Sequence, residues 1–140
     1  MAIASLGTYT GQMICATSES ARYRTRFSDG EHHGTSDATV DKGGRHAGFR
    51  PHDLLEAALA SCVSMAVRMH ADNYAIPLGG VTTKVSMDRT QPDEVVFRYE
   101  VGLDGDLTPE QRDKLLHAAA ACPVRRTLSK KIRFECGPQG

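Results

Sequence analysis

One stretch limits the folds open to this chain more than any other: the run PHDLLEAALASCVSMAVRMHA from Pro51 to Ala71. At helical spacing its polar residues fall mainly on a narrow stripe through Glu56, Ser64 and Arg68. Leu55, Leu59, Met65 and Met69 leave the rest of the circumference apolar or small. A helix that is apolar almost all round has to be covered almost all round. In 140 residues one sheet can cover one side, so a second subunit is expected on the other. Pro51 suits the first helical position. Asp53 and Glu56 fall in the first turns, where the helix dipole favours negative charge.

The flanking elements follow from local pattern. Tyr9 to Ala16 and Arg22 to Phe27 alternate as strands, with Thr17 to Ser20 as the turn between them. A short strand is expected around Ala38-Thr39-Val40, followed by a mobile Gly43-Gly44 loop. Val81, Thr83, Val85 and Met87 form one face of a strand, and Val95, Phe97, Tyr99, Val101 and Leu103 one face of its return. These make a half-buried antiparallel hairpin turning over Arg89 to Asp93. Thr108, Pro109 and Gln111 spell a capping box for a helix through Leu115-Leu116 to Ala121. Pro123 disfavours the helical conformation at Cys122, so that helix breaks and a short one begins over Val124 to Ser129. A last strand is expected over Ile132 to Cys136. The order βββ-α-ββ-α-α-β is an α+β fold, read as a single domain over residues 1–140.

Composition excludes several classes of function. Seventeen basic and seventeen acidic side chains give zero net charge, so nothing argues for nucleic acid. The N-terminus MAIASLGTYTG lacks the basic start and apolar stretch of a secretory signal. No run is expected to reach the roughly 18 apolar residues of a membrane span. The expected compartment is the cytoplasm, where paired thiols tend to be catalytic or metal-bound. The four cysteines, at 15, 62, 122 and 136, have no zinc-ligand spacing. His32-His33 falls in a polar loop, and Met65 and Met69 read as core or groove lining. No metal or cofactor is expected.

Cys62 on the apolar helix and Cys122 at a helix break suit a reactive pair that meets only in the fold. Each alone reads more readily as a small hydrophobe. Cys15 and Cys136 fit inward-facing strand positions. A thiol reacts as thiolate. Cys62 lies roughly 16 Å along its helix from Pro51, too far for the dipole to help, and burial disfavours the anion. A cation must come from elsewhere, and arginine is the best suited. Arg22, Arg24, Arg45 and Arg50 are candidates, with Asp53 or Glu56 available to hold one in place. Cys122, near a helix start, is expected to gain from that helix's dipole.

The segment Pro51 to Ala66, with Asp53-Leu54-Leu55 and Ala60-Ser61-Cys62, resembles the P-x-[DE]-L-L…A-[AS]-C helix of the OsmC/Ohr family. Cys122-Pro123-Val124, followed by Leu128, resembles that family's second cysteine motif, and the likeness runs from about residue 8 to residue 136. The resemblance implies an intertwined homodimer and a thiol-dependent peroxidase acting on organic hydroperoxides. Cys62 matches the peroxidatic cysteine and Cys122 the resolving one, with an external dithiol as reductant. Arg50 and Asp53 are the remaining catalytic candidates. His52 stands where established peroxidases often carry Glu. The other reading open to the sequence is a non-enzymatic module that binds apolar or lipid-like ligands in an interface cleft, its cysteines serving as packing.

Overall fold

The computed structural model describes residues 13–138. They group into two compact units that divide between Leu54 and Leu55.

In the first unit three short antiparallel strands run in sequence order: β1 (Cys15–Ser18), β2 (Thr25–Ser28) and β3 (His33–Ser36). The first turn is closed by the Glu19 N–H on the Arg24 carbonyl at 2.9 Å and by the Arg24–Glu19 ion pair at 2.5 Å. Phe27 faces Gly34 across the ladder. Its ring fills the space a side chain would take there, since an added Cβ would come within 2.2 Å of it. Beyond β3 the chain wraps around the buried Asp37. That carboxylate accepts N–H groups from Ala38, Arg45 and Ala47 at 2.8, 3.2 and 3.0 Å. The bond from Ala47 leads in holding this carboxyl below its usual range.

Several expectations for this region are corrected. The strand before the first turn is Cys15–Ser18; Tyr9 to Gln12 lie outside the described residues. Arg22 and Tyr23 belong to the turn, leaving Thr25–Ser28 as the strand. The third strand is His33–Ser36 rather than Ala38 to Val40. Asp37 contributes to that shift: it takes the Ala38 N–H that a ladder would use, and side-chain bonds of this kind compete with strand pairing. Val40–Lys42 forms one 3-10 turn, ended by Gly43 at φ 89°. His33 stands in a strand, and His32 pairs with Asp29 at 2.9 Å.

The helix α1 (Pro51–Asn73) begins at Pro51 as expected and runs 23 residues. After it come β4 (Gly80–Asp88) and β5 (Val96–Asp104), α2 (Pro109–Ala120) and α3 (Pro123–Leu128). The hairpin register sets Val81 opposite Leu103, Thr83 opposite Val101, Val85 opposite Tyr99 and Met87 opposite Phe97, the face expected from alternation. The capping box forms: Thr108 Oγ1 accepts the Gln111 N–H, and Gln111 Oε1 accepts the Thr108 N–H. In the second unit Leu59, Val63, Val67 and Ala71, every fourth residue of α1, pack with Ile76, Leu78, Leu115, Ala119 and Cys122.

The polar stripe of α1 turns to the hairpin region. Glu56 accepts the N–H of Met87 at 2.9 Å, Ser64 Oγ and Thr83 Oγ1 share a hydrogen bond of 2.8 Å, and Arg68 donates to the Leu78 carbonyl at 3.0 Å. The side left open carries Leu55, Met65 and Met69, which are 45%, 58% and 61% exposed. By length and mean hydropathy alone α1 could cross a bilayer, although Glu56 and Arg68 interrupt its apolar run. Its polar side chains are bonded to β4 and the loop before it, as in a packed helix of a folded unit.

The expected last strand does not form among the described residues. Residues 131–138 run without regular structure, and Ile132 and Phe134 stand 55% and 94% exposed. The class is as expected, α+β with antiparallel sheets and helices.

Candidate active site

The second unit brings Cys62 and Cys122 together. Cys62 is half-buried on α1, and Cys122 is fully buried at the N-cap of α3, with its backbone extended at φ −62° and ψ 143°. Pro123 excludes a helical bond at its own nitrogen, so the α2 helix ends and α3 starts afresh with its first N–H groups unsatisfied. Those groups point at sulfur. The Val124 N–H donates to Cys62 Sγ at 3.5 Å, and the Arg125 N–H donates to Cys122 Sγ at 3.4 Å. Cys62 packs against the buried cluster that contains Cys122, close enough for its thiol to act on that of Cys122.

Burial pushes the Cys122 thiol up, and the neighbouring Cys62 adds to the rise, while the N–H groups of Arg125 and Val124 oppose it. The expected gain for a Cys122 thiolate from the helix start is present but does not prevail. The donors are in place, but desolvation outweighs them. Cys122 is held as a neutral thiol beside Cys62.

A cavity of about 190 Å³ is lined by Leu59, Val95, Phe97, Tyr99, Arg125, Leu128 and Ser129. Arg125 belongs both to this wall and to the donor set of the thiol pair. Its guanidinium donates to the Ala120 carbonyl at the end of α2.

In the first unit Arg50 and Asp53 form a bidentate ion pair, with Nη2–Oδ1 at 2.6 Å and Nε–Oδ2 at 3.0 Å. The Arg50 N–H also donates to Asp53 Oδ2 at 3.0 Å. The Arg50 guanidinium holds the Asp53 carboxyl below its usual range. Of the two acids offered as arginine holders, Glu56 is taken by the Met87 N–H. Arg24 pairs with Glu19, and Arg22 lies over the Tyr23 ring at 5.2 Å. Cys15 and Cys136 are exposed, not inward-facing. Among the described residues no three His, Cys, Asp or Glu side chains are grouped to hold a metal ion.

Sequence reasoning missed Val124 and Arg125, because a backbone N–H leaves no mark in residue type. The usable signal was the Pro123 break, which frees the donors that follow it.

A buried thiol thus stands beside a half-buried one, each with an N–H donor, on an α+β scaffold with antiparallel sheets. The chain belongs to the OsmC-like protein family, whose model matches residues 42–137. Solved structures share the fold. One is an osmotic stress induced and detoxification response protein of Psychrobacter arcticus, 24% identical with TM-score 0.69, covering 81% of this chain and 85% of that one. A second is an organic hydroperoxide resistance protein, OsmC, of Legionella pneumophila, 20% identical with TM-score 0.60, covering 84% and 88%. A third is the organic hydroperoxide resistance protein OhrB of Bacillus subtilis, 21% identical with TM-score 0.60, covering 84% and 89%. No curated protein matches the chain.

Proposed function

We propose that this protein is a thiol-dependent peroxidase that reduces organic hydroperoxides. The observation that carries this reading is the Cys62–Cys122 contact with a donor on each sulfur. In the first step Cys62 thiolate attacks the outer oxygen of the hydroperoxide. The O–O bond breaks, and the alkoxide takes up a proton and leaves as alcohol. Cys62 becomes a sulfenic acid. Cys122, already in contact, displaces its hydroxyl as water and forms the disulfide. An external dithiol restores both thiols by exchange.

The roles divide among few residues. Cys62 is the nucleophile and Cys122 the resolving thiol. Arg50, fixed by Asp53, stands at the start of α1, roughly 16 Å along the helix from Cys62. As the cation that the thiolate and the departing alkoxide need, it is therefore assigned from the second copy of a homodimer. The choice of an organic hydroperoxide over hydrogen peroxide rests on the likeness to organic hydroperoxide resistance proteins; the cavity itself presents Arg125 and Ser129 beside Leu59 and Phe97. The four free thiols fit a reducing cytoplasm. The exposed Leu55, Met65 and Met69 fit a homodimer in which a second copy covers α1. Sedimentation equilibrium is expected to give twice the chain mass, and a monomer at micromolar concentration would remove the dimer from this account.

Cumene hydroperoxide is expected to convert the protein to an intramolecular Cys62–Cys122 disulfide, read by peptide mass spectrometry without reduction. Arg50→Ala should slow the conversion by roughly 10- to 100-fold. Both thiols still free in the unaltered protein after excess hydroperoxide would end the peroxidase reading.

A further inference from the structure

We propose that Arg125 is the positioning residue for Cys122 in the disulfide-forming step, a role that rests on the peroxidase reading above. Arg125 joins three places along the chain. Its guanidinium donates to the Ala120 carbonyl, in the last turn of α2. Its backbone N–H donates to Cys122 Sγ at 3.4 Å. Its carbonyl accepts the Ser129 N–H at 3.0 Å and the Ser129 hydroxyl at 2.8 Å, at the end of α3.

The Cys122–Pro123 junction needs such a tie. Proline has no N–H to give, so the chain changes direction between two helices without a helical bond at that nitrogen. A cation on the last carbonyls of a helix is favoured by the dipole and satisfies an acceptor left over there. The Arg125 side chain reaches back across the break to do this, and its own N–H then lies along the line to the Cys122 sulfur. The direction from which that sulfur approaches Cys62 is thereby fixed from both sides of the break.

The step concerned is Cys62–S–OH plus HS–Cys122, giving Cys62–S–S–Cys122 and water. The S–H and S–O bonds break and the S–S bond forms. The Cys122 proton leaves with the hydroxyl as water, and the hydroperoxide consumed in the first step is the only oxidant. Charge develops on Cys122 sulfur as its proton departs. The Arg125 N–H is then a donor to an anion, a stronger bond than the one it makes to the buried neutral thiol. The Arg125 side chain also lines the cavity, so the first step, at Cys62, is followed separately from closure. When closure is slow, the sulfenic acid stays open to a second oxidation to sulfinic acid.

The test compares Arg125→Ala and Arg125→Lys with the unaltered protein in stopped-flow reaction with cumene hydroperoxide. Dimedone trapping counts sulfenic acid, and mass spectrometry counts disulfide and sulfinic acid. Arg125→Ala should slow disulfide closure roughly tenfold more than it slows the oxidation of Cys62, the loss of one charge-assisted bond, and accumulate sulfinic acid. Arg125→Lys should recover part of the closure rate. Closure driven by diamide, with no hydroperoxide present, should show the same order among the three proteins. Normal closure in Arg125→Ala would overturn the role. Equal slowing of both steps would also overturn it, since that is what general loosening of the unit produces. Failure of the unaltered protein to form sulfenic acid would instead remove the peroxidase reading, and diamide closure would still judge whether Arg125 orients Cys122.

Discussion

Cys62→Ser is expected to abolish hydroperoxide turnover, a loss on the order of a thousandfold or more, because the reacting atom itself is gone. A serine hydroxyl in that place is protonated and does not attack the O–O bond. Cys122→Ser should behave differently: one equivalent of hydroperoxide reacts with Cys62, and the cycle then stalls at the sulfenic acid. Both changes are small in volume, so folding should persist, and thermal melting checks that it does. The binding-module account gives the opposite pattern. Apolar ligands would bind both variants as they bind the parent, and no protein would turn over. Residual steady-state turnover in Cys62→Ser within tenfold of the parent would sink the assignment of Cys62.

Leu115→Ala is expected to lower unfolding stability by about 2–5 kcal/mol. Leu115 is fully buried, in the cluster that α1 and α2 form with Ile76 and Leu78. Cys122 belongs to the same cluster, so the lost packing weakens the core that holds it. Against a typical total of about 5–15 kcal/mol, a loss of this size shifts the urea midpoint clearly. Closure of the disulfide should also slow, since the packing around Cys122 loosens. A midpoint change worth less than about 1 kcal/mol would mean that this cluster is not what holds the second unit together.

Much of the second unit was legible because its signals are local. The capping box at Thr108, the hairpin alternation from Val81 to Leu103 and the break at Pro123 each depend on residues a few positions apart, and each forms as read. The first unit was less legible for a physical reason. Its layout is organised by Asp37, whose carboxylate gathers N–H groups from positions up to ten residues away. A lone aspartate in a Gly- and His-rich stretch gives no sign of that. Cys15, expected inward, lies exposed on β1, an edge strand in the order β1-β2-β3.

The amino-acid order alone determined which segments become helix or hairpin, the α+β class, and the two cysteines worth pairing. These follow from side-chain period, caps and breakers, which act over one or two turns of chain. Only the tertiary structure decided that the polar stripe of α1 faces the hairpin and that Asp53 rather than Glu56 holds an arginine. It alone showed the donors on the two sulfurs to be the N–H groups of Val124 and Arg125. Those outcomes depend on which surfaces meet across long sequence separations. They depend also on how desolvation at one buried sulfur balances the hydrogen bonds it receives, and spacing along the chain carries no measure of either.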